Sequence, residues 1–169
     1  MYLTRGPAAG EVSARLALDL EPPSSPWRRQ ALMSLGQALY LVGRSQEARE
    51  ALEEARRLSG PSSWAAGAVL TLSYLALIEL DSGASAQAER MARGALTLVE
   101  ENHLASGIPT TNALTALGAA LTATTDVHAA VELLSEAVEL APSTAPSYWH
   151  AHALIRLAAA LDRLGDTAQ

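Results

Sequence analysis

Apolar positions along the chain recur at helical spacing in a unit of about forty residues. In each unit, a leucine followed by a small residue lies eight residues before a turn position. The four copies are Leu35-Gly36, Leu75-Ala76, Leu117-Gly118 and Leu157-Ala158. Their turn positions are Gly43, Gly83, Thr125 and Gly165, which lie 40, 42 and 40 residues apart. A period of this length predicts an internal structural repeat.

A second pattern follows the turns in the same register. Alanines stand 5 and 12 residues after a turn, and a leucine stands 15 residues after it. The three copies are Ala48, Ala55 and Leu58, then Ala88, Ala95 and Leu98, then Ala130, Ala137 and Leu140. This spacing places all three residues on one face of a helix. Each unit is therefore predicted to be two antiparallel helices with a short turn, and the alanines are expected to be buried where helices cross.

The predicted fold is all-α: a right-handed superhelical stack of antiparallel helix pairs, with about four repeats in one domain over residues 1–169. Helices are predicted at 8–20, 27–42, 45–58, 64–82, 85–101, 111–123, 127–140 and 147–164, and turns near residues 6, 43, 83, 125 and 165. Because residue 6 occupies the turn position of a preceding unit, and residues 165–169 open a further helix, we expect the chain to be a fragment of a longer protein.

Charge and composition exclude several function classes. The formal net charge is −6 and the chain contains no lysine, so neither a basic surface for DNA nor the lysine of a phosphate-binding P-loop is expected. Apolar residues make up 49 % of the chain without a continuous run long enough to span a membrane. Cysteine is absent, which rules out disulfides. No signal peptide is recognisable, and we expect a cytoplasmic protein.

The leucine and small residue before the turn, with two alanines seven apart after it, resemble the tetratricopeptide repeat (TPR). The matches of the first helix are Leu35/Gly36, Leu75/Ala76, Leu117/Gly118 and Leu157/Ala158, and those of the second are Ala48/Ala55, Ala88/Ala95 and Ala130/Ala137. The period is longer than the usual 34 residues of that family. The typical Asp after the turn is also replaced, by Arg44 and Ala84.

A narrower resemblance rests on the segments at 25–39 and 47–55 together with the long period. They are similar to the repeat region of LuxR-type, MalT-like ATP-dependent transcriptional regulators. That resemblance implies a sensor segment in transcription regulation, which takes up a small-molecule inducer or a partner protein. The alternative is a freestanding TPR-like scaffold for protein–protein interaction. An ATPase module and a helix-turn-helix encoded beside this segment would favour the first hypothesis.

First helices of such a stack are expected to line its concave surface. Positions 13, 10, 6 and 3 residues before each turn would then face the groove. The predicted ligand or partner groove comprises Gln30, Met33, Gln37, Tyr40, Leu70, Ser73, Leu77, Leu80, Asn112, Thr115 and His152. Ala119, Thr122, Ile155, Ala159 and Asp162 complete this lining. Its leucines suit an apolar ligand or a partner helix, although Leu70, Leu77 and Leu80 could instead pack against neighbouring helices.

The chemistry-bearing residues predict binding without catalysis. The groove lining contains no cation, so a clamp for peptide carboxylates is not expected. His150 and His152 are two apart on a helix and project in different directions, so they cannot share a metal ion. No nucleophile elbow, Gly-rich phosphate loop or paired-carboxylate motif is present. No enzyme activity, metal or cofactor is expected.

Three further expectations concern single residues and the chain ends. Trp27 and Trp149 occupy equivalent places, where they are expected to anchor helix starts by packing. Glu79 replaces an apolar residue of the other repeats, and it would need Arg90 or Arg93 as a partner or access to water. The apolar faces of the helices at 8–20 and 147–164 are expected to favour a homo-oligomer through a terminal repeat.

Overall fold

The computed structural model describes residues 6–58, 64–104, 107–124, 126–141 and 148–167, with the backbone alone for 166–167. Over these residues the chain forms helices and connecting turns. The helices are α1 (Gly6–Leu20), α2 (Arg28–Leu41), α3 (Ser45–Arg57), α4 (Ala65–Asp81), α5 (Ser85–Glu101), α6 (Ile108–Ala123), α7 (Val127–Leu140) and α8 (Tyr148–Thr167). The all-α fold predicted from the repeat is confirmed.

The helices form a right-handed stack of antiparallel pairs. The three complete pairs are α2 with α3, α4 with α5, and α6 with α7. Inner helices also contact one another along the stack, since α4 packs against both α2 and α6, and α6 packs against α8. Helix α1 takes the place of a second helix before α2, and α8 takes the place of a first helix after α7. The first helix of each complete pair therefore buries apolar residues against the second helix of that pair and against the neighbouring pair.

Glycines end the first helices of two pairs in the same way. Gly43 and Gly83 have φ angles of 79° and 85°, which glycine adopts without steric cost. After α2, the Gly43 N–H donates to the Tyr40 carbonyl at 3.0 Å and the Arg44 N–H donates to the Leu39 carbonyl at 2.9 Å. This pair of hydrogen bonds forms a Schellman cap, which ends α2 and turns the chain into α3. The described structure turns at residues 43 and 83, and position 125 lies outside the described residues.

His103 ends α5 with the same cap and a φ of 54°, so a non-glycine residue holds the left-handed conformation there. The His103 N–H donates to the Glu100 carbonyl at 3.2 Å, and the Leu104 N–H donates to the Val99 carbonyl at 2.9 Å. The sequence alone does not mark this cap, because glycine is the residue that normally signals it.

The predicted alanines lie at helix crossings. Ala48, Ala55, Ala88, Ala95, Ala130 and Ala137 are all fully buried. The small residue of each first helix serves the same purpose: a Cβ added at Gly36 would lie 2.5 Å from Leu52 Cγ, and one at Gly118 would lie 2.5 Å from Leu134 Cγ. In both pairs a leucine of the second helix therefore sits directly on the small residue of the first. This contact fixes the register of the pair.

The structure differs from the sequence prediction at residue 165, at the start of α6 and at Trp27. Helix α8 continues through Gly165 to Thr167, so the turn predicted at residue 165 is not formed. Among the described residues, nothing lies within 4 Å of a Cβ added at Gly165, so no packing contact there defines a helix end. Helix α6 begins at Ile108, before the predicted 111, because Pro109 occupies its first turn, where a missing N–H costs nothing. Trp27 is 69 % exposed and does not anchor α2 by burial.

Glu79 pairs with a different arginine from those expected. Arg49 on α3 contacts the Glu79 carboxylate, whereas Arg90 bonds Gln87 and Arg93 bonds Glu89 at 2.8 Å, each on its own helix. The Glu79 side chain keeps 15 % of its surface exposed. It therefore joins neighbouring repeats at the edge of the core, where the carboxylate is both paired and partly hydrated.

Candidate functional site

A cavity of about 550 Å³ lies between α2 and the neighbouring helices α1, α4, α6 and α8. The starts of α1, α6 and α8 converge on α2, which lines the cavity along its length, and the second turn of α4 forms part of the wall. Its lining is Gly6, Pro7, Gly10, Gln30, Met33, Ser34, Gln37, Ala38, Leu41, Leu70, Ile108, Pro109, Tyr148 and Trp149. The volume falls within the range of small-molecule and peptide side-chain sites.

The polar groups in this lining are neutral and partly engaged. Gln37 donates through Nε2 to the Tyr74 hydroxyl at 2.9 Å. The Gln30 Oε1 atom accepts from the Trp64 indole N–H at 3.0 Å. These bonds hold each amide in place and leave its other end available for a ligand. No charged side chain stands among the described residues of the lining. The cavity is therefore suited to an uncharged, largely apolar group.

A network of polar side chains spans the concave side from α8 to α2 and α4. Tyr40 on α2 donates its hydroxyl proton to Asp81 Oδ2 at 3.0 Å. Arg156 on α8 donates to the Tyr40 hydroxyl at 3.3 Å and lies 3.5 Å from Asp81 Oδ1. The Arg156 Nε group also donates to His152 Nε2 at 3.3 Å. We call Tyr40, Asp81, His152 and Arg156 the cross-groove network.

Aromatic rings connect this network to the cavity wall. The rings of Tyr148 and His152 stack with centroids 5.6 Å apart. The Tyr40 ring meets Tyr74 edge-on at 5.7 Å. Such edge-to-face contacts add to the stability that burial supplies. Side chains of α8 consequently bridge the concave side to α2.

Burial and neighbouring charge shift the pKa values of the network. Burial, followed by the Asp81 carboxylate, raises the pKa of Tyr40 to about 12. Complete burial raises the pKa of Tyr74 far above its usual range. Burial, reinforced by the Arg156 guanidinium, lowers the pKa of His152 to about 4. At neutral pH the tyrosines are hydroxyls and His152 is a neutral imidazole, so its Nε2 atom can accept the hydrogen bond that Arg156 donates.

The predicted groove residues fall into four groups. Gln30, Met33, Gln37 and Leu70 line the cavity. Tyr40 and His152 belong to the cross-groove network, and Leu80 packs half-buried against the core. Ser73, Leu77, Asn112 and Thr115 are buried and do not line the cavity.

The hydroxyls of Ser73 and Thr115 are hydrogen-bonded within their own helices and are therefore unavailable to a ligand. Ser73 donates to the Val69 carbonyl at 2.8 Å, and Thr115 donates to the Thr111 carbonyl at 2.7 Å. Both hydroxyls are thus satisfied within their own helices. Leu77 is 1 % exposed and belongs to the core, as the packing alternative for this residue predicts. An open groove over α4 and α6 is therefore not formed at these positions.

Sequence reasoning missed the residues that helix ends supply. Tyr148, Trp149, Ile108 and Pro109 lie before the offsets used to trace the groove, so a fixed periodic register excludes them. The indole N–H of Trp149 is buried close to the Tyr74 hydroxyl without full hydrogen-bond geometry. The available signal was the aromatic pair Tyr148-Trp149 at a helix start, facing the neutral glutamines of α2.

Other site classes find no support in the part of the chain that the structure describes. No group of three or more metal-ligating side chains occurs among those residues. Likewise, none of the helices described is both long and apolar enough to cross a membrane.

Comparison with known proteins supports the fold alone. The chain is similar to the crystal structure of a Podosopora anserina protein described as kinesin light chain nearly identical TPR-like repeats, at 19 % identity and a TM-score of 0.59. That alignment covers 95 % of this chain and 78 % of the other. A form of the same repeats with one residue substituted gives a TM-score of 0.61 at 19 % identity, covering 95 % and 77 %. No protein-family profile matches the chain, and no curated protein matches it either.

Proposed function

We propose that this chain is a non-catalytic scaffold for protein interaction, whose cavity receives an uncharged apolar segment of a partner. The observation that carries the proposal is the cavity of about 550 Å³, which has an apolar wall and two hydrogen-bonded glutamines. Such a site selects by shape and apolar contact, with a few neutral hydrogen bonds to fix orientation. The TPR-like fold supports a binding role, because stacked repeats present extended concave surfaces.

A solvatochromic dye tests whether the cavity accepts an uncharged apolar group. Nile red is neutral, and we expect it to bind the wild-type chain with a blue-shifted emission. Leu70→Glu places a carboxylate in the wall, and Ser34→Trp fills the space without adding charge, so both should reduce binding at least tenfold. Leu154→Glu is the matched control, since Leu154 is exposed on α8 and does not line the cavity. Equal binding by all four proteins would show that the cavity is not the site.

Peptide selection tests whether the natural occupant is a segment of a protein. A displayed random-peptide library is panned on the wild-type chain, with counter-selection on the Leu70→Glu variant. We expect peptides with an uncharged apolar core, whose binding is lost in the variant. Peptides dominated by acidic or basic residues, or binding both proteins equally, would contradict the proposal.

A narrower proposal is that this scaffold is the sensor segment of a LuxR-type, MalT-like transcriptional regulator, with an inducer or partner protein in the cavity. It is supported by the segments at 25–39 and 47–55 and by the long repeat period. The complete reading frame of the gene tests it: an encoded ATPase module and helix-turn-helix would support the sensor, and neither would leave the freestanding scaffold. In both cases the isolated chain should bind neither ATP nor DNA, because it is acidic and lacks lysine.

A further inference from the structure

The cavity lies between two groups of helices whose backbones do not meet. We call α1 with α2 the first wall, and α6 with α8 the second wall, because both groups supply lining residues. Among the described residues, no Cα atom of the first wall lies within 8 Å of one in the second wall. Helix α4 packs against both α2 and α6, and it contributes Leu70 to the cavity. Packing between the two walls therefore runs through α4.

The cross-groove network makes a second connection, which consists of side chains only. Arg156 of the second wall donates to the Tyr40 hydroxyl of the first wall at 3.3 Å. Asp81, the last residue of α4, accepts from Tyr40 at 3.0 Å and lies 3.5 Å from Arg156. The His152 ring lies 6.5 Å from the Tyr40 ring, measured between centroids. The described lining of the cavity includes no residue of this network.

Helix α8 carries both the network and part of the cavity wall on one face. Tyr148, His152 and Arg156 are four residues apart along α8, which places them on the same side of the helix. The Tyr148 ring lines the cavity and stacks on the His152 ring at 5.6 Å. Because all three side chains belong to one continuous helix, a movement that separates Arg156 from Tyr40 also displaces the wall at Tyr148.

An occupant of the cavity would connect the same two walls. Met33 and Gln37 line it from the first wall, and Ile108 and Tyr148 line it from the second. A group bound there contacts both sides only while the walls stay close together. The occupant and the network therefore stabilise the same closed arrangement. Two interactions that favour one conformation over another are coupled, and each strengthens the other by the same factor.

We infer that the cross-groove network is a clasp, which holds the two walls in the arrangement that binds the occupant and is itself strengthened by that occupant. This inference rests on the proposed function, because it concerns the same cavity. Tyr40, Asp81 and Arg156 are positioning residues, since they act on the occupant through the placement of α8 and α2. If the closed arrangement is populated only about one fifth of the time without the clasp, the affinity of the cavity falls about fivefold.

Nile red binding to clasp variants tests the coupling. Tyr40→Phe removes the hydroxyl and keeps the ring, and Arg156→Met removes the guanidinium and keeps most of the side-chain length. Each should raise the Kd for Nile red about fivefold. The double variant should bind only slightly more weakly than Arg156→Met, because both substitutions remove the same hydrogen bond.

Arg49→Met is the matched control for these variants. Arg49 pairs with Glu79 between α3 and α4, away from the cavity lining, and its side chain is 28 % exposed compared with 25 % for Arg156. Its Kd should equal that of the wild type. A wild type that does not bind Nile red would contradict the proposed function. Binding that is normal in the wild type and unchanged in both clasp variants would leave that function intact and overturn the clasp. Equal weakening by the control would also overturn it.

Distances between spin labels test the movement of the walls without any occupant. The chain has no cysteine, so introduced thiols are the only labelling sites. Val12→Cys on α1 and Ala158→Cys on α8 place labels at exposed positions of opposite walls. The distance distribution should be narrow with Arg156 present and broader in Arg156→Met. A second pair, His128→Cys with Ala158→Cys, spans the packed helices α7 and α8 and should be unaffected. An unchanged distribution for the first pair would show that the network does not hold the walls.

Discussion

Helices α6 and α8 carry the same repeat pattern but differ in their surroundings. In α6 every residue from Thr110 to Leu121 is buried, since α4, α5, α7 and α8 all pack against it. In α8 the inner face is buried at Ala153 and Ala160, while the outer face exposes Leu154 and Leu161. The repeat pattern therefore determines which residues can be buried, and the neighbouring helices determine which of them are buried.

A buried charge gives the largest difference between the two helices. Leu114→Glu in α6 should destabilise the fold by about 4 kcal/mol or more, because it places an unpaired carboxylate at a site that is 3 % exposed. Leu154→Glu at the equivalent position of α8 should change the free energy of unfolding by less than about 0.5 kcal/mol. Urea titration at low protein concentration measures both. Similar losses in the two variants would show that the outer face of α8 is covered.

Acidification should act through the inner face of α8. His152 is held neutral by burial, and its pKa of about 4 lies below the unfolded value of 6.5. Between these values the unfolded chain binds a proton that the native chain does not, so stability is lost as pH falls from about 6.5 to 4.

The loss attributable to His152 should approach 3 kcal/mol at pH 4, at about 1.36 kcal/mol per pKa unit. Urea midpoints measured across this pH range for the wild type and for His152→Gln check it. The variant should lack this slope, although the Arg156 and Asp81 groups that face residue 152 remain in place. An identical pH dependence in both proteins would contradict a buried neutral His152.

A larger side chain should have different effects at the equivalent small residues Gly118 of α6 and Ala158 of α8. Gly118→Leu should cost about 2 kcal/mol, because even a Cβ at this position lies 2.5 Å from Leu134 Cγ. Ala158→Leu should leave the stability of the monomer unchanged, since residue 158 is exposed. Thermal unfolding of dilute samples separates the two. If Gly118→Leu melted at the wild-type temperature, the close approach of α6 and α7 would be wrong.

Two glycines at equivalent positions should respond with opposite sign. Gly165 lies inside α8 with open space around it, so Gly165→Ala should stabilise the fold by roughly 0.5 to 1 kcal/mol. Gly83 has a φ of 85°, so Gly83→Ala should destabilise it by about 1 kcal/mol. Denaturant midpoints of the two variants measure the effect. If both substitutions destabilised the fold, the result would support the turn that the sequence predicts at residue 165.

The sequence predicted the helices and their buried alanines because both follow from spacing within one unit. The turns at Gly43 and Gly83 could be predicted for the same reason, since a glycine at the end of a helical pattern indicates a residue with positive φ. The turn predicted at Gly165 is not formed, because a glycine ends a helix only where its surroundings favour the end, and α8 continues through residue 165 with open space around it among the described residues.

The cavity was only half predictable. Gln30, Met33, Gln37 and Leu70 follow from the periodic register. Tyr148 and Ile108 do not, because they come from helix starts whose relative placement depends on how the stack curves. Burial of Leu77 and Ser73 likewise reflects contacts between repeats, which a pattern within one repeat does not contain.

The hydrogen bond from Arg156 to Tyr40 joins residues 116 positions apart, which alters how the stack should unfold. Repeat arrays with only nearest-neighbour contacts lose terminal units independently, in a series of separate steps. Here, release of α8 also removes one of the two hydrogen-bond partners of Tyr40 and the Trp149 indole beside the Tyr74 hydroxyl. Fraying at the carboxyl end is thereby coupled to the first two pairs, so amide hydrogens of α2 and α8 should exchange in a common opening event.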